Sequence, residues 1–123
     1  MFTGIVQGTA TLASVQDRPG LRTISLRFAE GALAGIEVGA SVAVAGTCLT
    51  VTRFDGDTAW FDLIDETLAR TTHGARQVGD ALNVERSLRF GSEIGGHILS
   101  GHVHGTARVA AVRRSANNLE LVL

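Results

Sequence analysis

The sequence predicts an all-β fold, a small barrel or sandwich with one short helix, and two observations predict it. Short runs rich in Val, Ile, Thr, Leu and Phe recur between glycines and polar turns, over residues 4–15, 21–28, 40–52, 58–64, 81–87 and 98–112. Only one stretch, 65–72, reads as helical. The chain has 123 residues, enough for one ordinary domain that buries roughly two-thirds of its unfolded surface. Hydrophobic residues at 45% against charged ones at 19% place it with folded globular proteins.

The first strand, 4–15, runs into the polar turn Asp17-Arg18-Pro19-Gly20. In the next, Leu21 to Phe28, apolar and polar residues alternate from Ile24 onward, as in a strand buried on one face. Residues 40–52 read as a single strand in which Cys48 and Thr50 share a face, and a bulge at Gly46 brings Ser41 to that face too. Asp55-Gly56-Asp57 forms a hairpin turn into 58–64. In the helix Asp65 is the capping residue and Gly74 closes the end. Barely two turns long, it must be held by packing. His73, in the turn after it, is expected in solvent.

Charge excludes some partners. Eleven Lys and Arg stand against twelve Asp and Glu, a net charge of -1 with no long run of either sign, so nucleic acid and anionic membrane are not expected to bind. The first residues, Met1 to Val6, show no basic leader, and no run approaches the ~20 apolar residues of a membrane span. A single cysteine, Cys48, forms no intrachain disulfide and no all-cysteine metal site. A reducing, cytoplasmic setting is expected.

The chain also repeats itself. Residues 3–15, TGIVQGTATLASV, align with 100–112, SGHVHGTARVAAV, at an offset of 97. Gly4, Val6, Gly8, Thr9, Ala10, Ala13 and Val15 match Gly101, Val103, Gly105, Thr106, Ala107, Ala110 and Val112, where roughly one match is expected by chance. Both copies continue through a polar turn into a β-like segment. The expected organisation is therefore a complete barrel over 1–90, a linker over 91–97, and over 98–123 the first strands of a second barrel. Two strands cannot close a barrel, so the chain is expected to be a fragment of a protein nearly twice as long.

Several side chains have chemistry worth weighing. Cys48 is either a small buried hydrophobe or a pocket residue. His97, His102 and His104 are spaced H-x4-H-x-H, with His102 and His104 on one side of a strand. No nearby cysteine or carboxylate completes a metal set, so no metal site is expected. An imidazole suits proton transfer near neutrality, which singles out His102; His104 is assigned no role. Glu66 and Thr67 either cap the helix or meet a ligand at its first turn. Glu85 and Arg86 have opposite strand parity, so both cannot face one pocket.

These segments resemble the riboflavin synthase family. The resemblance rests on Met1-Phe2-Thr3-Gly4-Ile5-Val6, Gly46-Thr47-Cys48-Leu49-Thr50-Val51, Glu66-Thr67-Leu68 with Thr71, Asn83-Val84-Glu85-Arg86, and Gly95-Gly96-His97 leading to Ser100-Gly101-His102-Val103. It implies a six-stranded antiparallel Greek-key β-barrel with one short helix, the first of two in tandem. It also implies a transferase activity, the dismutation of two 6,7-dimethyl-8-ribityllumazine molecules to riboflavin and 5-amino-6-ribitylaminouracil, without metal or organic cofactor.

Site residues follow from the same resemblance. Gly4, Ile5 and Val6 contact ligand held mainly by a partner barrel. Cys48, Leu49 and Thr50, with Asp62, Leu63, Ile64, Asp65, Glu66 and Thr67, line this barrel's pocket, and Gly101, His102 and Val103 complete the neighbouring site. Ser41, Cys48 and His102 are the positions linked to reactivity. A homo-oligomer is implied, a trimer for the full-length protein and a dimer for an isolated barrel. The alternative within the fold is a non-catalytic lumazine- or flavin-binding protein.

Overall fold

A computed structural model describes residues 1–123. Six strands close into an antiparallel barrel: β1 (Gly8–Arg18), β2 (Leu21–Arg27), β3 (Ser41–Val44), β4 (Thr47–Asp55), β5 (Thr58–Ile64) and β6 (Ala81–Arg86). Their order around the barrel is β1-β2-β5-β4-β3-β6, so the β3-β4-β5 meander is inserted between β2 and β6 in Greek-key fashion. Register slips at Ala13 in β1 and Thr52 in β4 bend the sheet so that it can close.

Alternation along each strand decides what lies inside. Leu12, Ile24, Leu26, Val42, Val44, Leu49, Val51, Phe61, Leu63 and Leu82 all point inward and are buried. Each such side chain contributes about 1.5–3 kcal/mol relative to exposure. The long connection between β2 and β3 plugs one side with Phe28, Leu33 and Ile36. Arg86 secures that loop, its guanidinium donating to the carbonyls of Ala34 (2.7 Å) and Ala32 (3.3 Å).

Two strand expectations need correction. Residues 40–52 are not one strand: Val44 pairs with Thr47 across a two-residue turn, and both turn residues have positive φ, Ala45 at 46° and Gly46 at 80°. This is the backbone of a hairpin turn whose twist matches its strands, and it supplies the sixth strand of the barrel. Nor is 98–112 a continuous strand. Leu99 pairs only with Phe2, and regular pairing resumes in a separate hairpin, β7 (Ala111–Ser115) with β8 (Asn118–Val122).

Beyond β5 the chain forms α1 (Asp65–Arg70) and a 3-10 turn, Thr72–Ala75. Here too the structure differs from expectation. The N-cap is Ile64 with no side-chain capping bond, Asp65 is already helical, and Gly74 lies inside the 3-10 turn instead of closing the helix. His73 is buried, not solvated. Its Nε2 lies 3.1 Å from the Val44 carbonyl. A carbonyl only accepts, so Nε2 carries the proton. Arg22 holds the same turn from outside by donating to the carbonyls of His73 and Gly74, both at 3.0 Å.

Candidate active-site cleft

The His73 anchor sets the site, because it fixes α1 and its turn beside the end of β3. The hairpin turn then delivers Thr47 and Cys48 next to that unit. Cys48 is a free thiol on the outer face of β4, half-buried, and Thr47 is buried beside it. Thr71 braces the end of α1, its hydroxyl donating to the Thr67 carbonyl at 2.6 Å.

The third wall comes from the start of the second repeat. Phe2 and Leu99 exchange backbone hydrogen bonds, each N–H donating to the other's carbonyl at 2.8 Å. These two residues are themselves 97 apart, so equivalent positions of the two repeats meet across a local two-fold relation. His97 N–H donates to the Thr3 carbonyl at 3.0 Å, and Cys48 N–H to the Gly101 carbonyl at 2.9 Å. A strap of residues 97–104 thereby crosses the barrel end. Gly101 adopts a φ of 77°, and a Cβ there would sit 2.8 Å from Cys48 Cβ and 3.0 Å from the Phe2 ring. Only glycine fits.

The resulting cleft measures about 330 Å3 and is lined by Thr47, Cys48, Glu66, Thr67, Arg70, Thr71 and the strap from Gly101 to His104. Hydroxyls, imidazoles and one ion pair, Arg70 to Glu66 at 3.0 Å, dominate the lining. That pair is largely exposed and contributes little to stability. Its groups are instead available to a ligand. Such a wall suits a solute rich in hydroxyls and carbonyls better than an apolar one. No group of three or more His, Cys, Asp or Glu side chains comes together to hold a metal ion.

Measured against the expected site, the cleft brings Cys48 and His102 together but leaves Ser41 out. Pairing of Ser41 with Thr50 and of Ala43 with Cys48 does put Ser41 on the outer face. It opens, however, into a separate hollow lined by Gly35, Glu37, Ala40, Arg86, Ser87 and Arg89. Leu49 and Leu63 point into the core and Thr50 lies outside the cleft. Of 62–67, only Glu66 and Thr67 line it: Asp62 accepts from Thr23 Oγ1 at 2.6 Å, while Ile64 and Asp65 are exposed. Gly101, His102 and Val103 line the cleft of this barrel.

Gly4, Ile5 and Val6 do not reach this cleft. Glu85 holds the start of this segment, its carboxylate accepting from Thr3 N (2.6 Å), Thr3 Oγ1 (2.7 Å) and Gly4 N (3.0 Å), while Ile5 N–H donates to Thr3 Oγ1 at 3.1 Å. Glu85 is therefore the clamp of the amino-terminal segment. Thr47, Arg70, Thr71 and His104 line the cleft without having been expected there. For His104 the signal was present in its spacing from His102, and both residues line the cleft.

Comparison with known proteins agrees with this fold. The lumazine binding domain family matches residues 3–87. The riboflavin synthase of Escherichia coli (strain K12) is 50% identical over 121 residues, covering 98% of this chain and 57% of that protein. The riboflavin synthase of Buchnera aphidicola subsp. Schizaphis graminum is 38% identical over 118 residues. Among solved structures, LumP complexed with 6,7-dimethyl-8-(1'-D-ribityl) lumazine superposes with a TM-score of 0.86 at 31% identity, covering 98% of this chain and 67% of that one. LumP complexed with riboflavin gives 0.85 at 31% identity. The chain spans about half the length of the curated relatives it matches. With this strand order, and with residues 3–87 matched, the chain belongs to the lumazine binding domain family.

Proposed function

We propose that this chain is the amino-terminal, ligand-binding portion of a riboflavin synthase. The activity proposed for the whole protein is dismutation of two 6,7-dimethyl-8-ribityllumazine molecules to riboflavin and 5-amino-6-ribitylaminouracil. The observation that carries this is the Cys48 N–H to Gly101 carbonyl bond, because it places His102 and Cys48 in one polar cleft. Loss of a proton from the substrate's C7 methyl leaves a carbanion delocalised into its ring. The protein then has to supply a proton carrier, a nucleophile or positioned water, and stacking of two substrates. In this reading His102 moves the proton and Cys48 contacts or attacks the ring. Ser41 is given no step, since it opens elsewhere. No metal, organic cofactor, nucleic acid or membrane enters the proposal.

Residues 1–90 are proposed as the binding barrel, 91–97 as the linker and 98–123 as the opening of a second barrel. The protein would work in the cytoplasm as a homo-oligomer, trimeric with both barrels and dimeric as this barrel alone. Gly4, Ile5 and Val6 would serve a partner barrel, as Gly101 to Val103 serve this one; Gly4 has a φ of 80°, close to that of Gly101. A second reading, non-catalytic binding of lumazine or flavin, is favoured by the ligands in the LumP structures. Incubation with 6,7-dimethyl-8-ribityllumazine separates the two, with Cys48→Ala and His102→Ala alongside. Riboflavin formation lost in both variants supports the synthase; binding without product supports the second reading. Product unaffected by either substitution would sink the site assignment.

A further inference from the structure

The hollow into which Ser41 opens has a composition unlike the rest of the surface. It measures about 370 Å3 and is lined by Gly35, Glu37, Ala40, Ser41, Arg86, Ser87 and Arg89. Two guanidiniums face it, and neither forms an ion pair. Both are held in place by backbone carbonyls of the 32–35 loop: Arg86 by Ala32 and Ala34, and Arg89 by Gly35 at 3.3 Å. Each of those contacts uses one terminal nitrogen, which leaves further N–H donors on both side chains. Ser87, just after β6, donates its N–H to the Ser41 carbonyl at 3.2 Å, which brings the two serines together in the lining of the hollow.

We propose that this hollow is an anion site that takes a phosphate monoester, with Arg86 and Arg89 as the charged clamp and the Ser41 and Ser87 hydroxyls as neutral donors. Guanidiniums fit phosphate oxygens with paired N–H bonds, and a cation pair already fixed by carbonyls loses little freedom on binding. The two like charges also disfavour each other. Burial and the nearby Arg89 both hold the Arg86 guanidinium below its usual range, and a bound dianion would relieve that repulsion. Glu37, the one acid in the lining, opposes the anion and thereby provides a test.

The full 123-residue chain would be titrated by amide NMR with inorganic phosphate, with ribose 5-phosphate, and with sodium chloride at matched ionic strength. Saturable shifts at Ser41, Ser87 and Arg89 are expected with both phosphates and not with chloride. Ribose 5-phosphate binding more tightly assigns the site to an ester; inorganic phosphate binding more tightly assigns it to the free anion. Arg89→Gln should weaken binding about tenfold, the loss of one charge-assisted contact, and Glu37→Gln should strengthen it. Both positions are exposed, so the variants keep the fold. Linear shifts that chloride reproduces, or affinities untouched by both substitutions, would overturn the site. Loss of lumazine binding at the Cys48 cleft would leave these outcomes unaffected.

Discussion

The first and last hairpins of the molecule share a pairing scheme and differ in fate. In β1-β2, Val15 pairs with Ile24 and Arg18 with Leu21; in β7-β8, the residues 97 positions later, Val112 with Leu121 and Ser115 with Asn118, pair in the same register. Yet Ile24 and Leu26 are 3% and 0% exposed, whereas Leu121 and Leu123 are 54% and 75% exposed. Local sequence therefore sets the register, and neighbouring strands decide burial. The segment of β1 before its bulge, from Gly8 to Thr11, is paired with β6. Its counterpart, residues 105–108, has no such neighbour and forms no strand. An isolated hairpin is marginal on its own.

The largest effect should come from testing that difference directly. Ile24→Ala is expected to cost about 2–5 kcal/mol in urea unfolding, and Leu121→Ala, its counterpart, less than about 0.5 kcal/mol. Comparable losses at both positions would mean that the last hairpin packs on something in solution. The straps give the next contrast. Gly101→Val should lower riboflavin affinity, read by fluorescence quenching, by about tenfold or more, because the added atoms meet Cys48 and the Phe2 ring. At Gly4 the nearest atom to an added Cβ is the flexible Leu99 Cδ1 at 2.8 Å. Gly4→Ala should therefore cost about 1–2 kcal/mol of backbone strain and lower that affinity less than Gly101→Val does.

A smaller loss is expected at the clamp. Glu85→Gln exchanges one acceptor oxygen for an amide NH2 that faces a backbone or hydroxyl donor, and should cost about 1 kcal/mol. The smallest effect depends on pH. Burial, reinforced by the charges of Arg76 and Arg22, pushes the His73 imidazole below its ordinary value of 6.5. The unfolded chain then binds the proton more readily than the folded one, so stability falls as the pH drops below about 6.5. The urea midpoint should decline there, and His73→Gln should flatten that part of the profile. The decline would first loosen α1, which belongs to the cleft side of the barrel and not to the last hairpin.

Most of the barrel was legible in the alternation of its strands, and the repeat announced the strap residues. What escaped had physical reasons. From Val42 to Val51 the chain is apolar on both sides of Ala45, and an alanine with positive φ is an uncommon turn residue, so a hairpin read as a bulged strand. Leu49 and Leu63 matched a pocket sequence, but strand parity sends their side chains inward. His73 looked like a solvated turn residue because its acceptor, the Val44 carbonyl, is 29 positions away and leaves no mark in the sequence. The repeats also differ where chemistry is concerned, since Ile5 occupies the position that His102 holds in the second copy. Only the second strap has an imidazole at that position.

The bond from Cys48 to Gly101 also has a consequence in time. All six barrel strands exist once the chain reaches Arg86, but the third wall of the cleft is synthesised only with Gly101. At about 5–20 residues per second this is a lag on the order of one to three seconds. A nascent chain thus completes its strands before its cleft has a third wall.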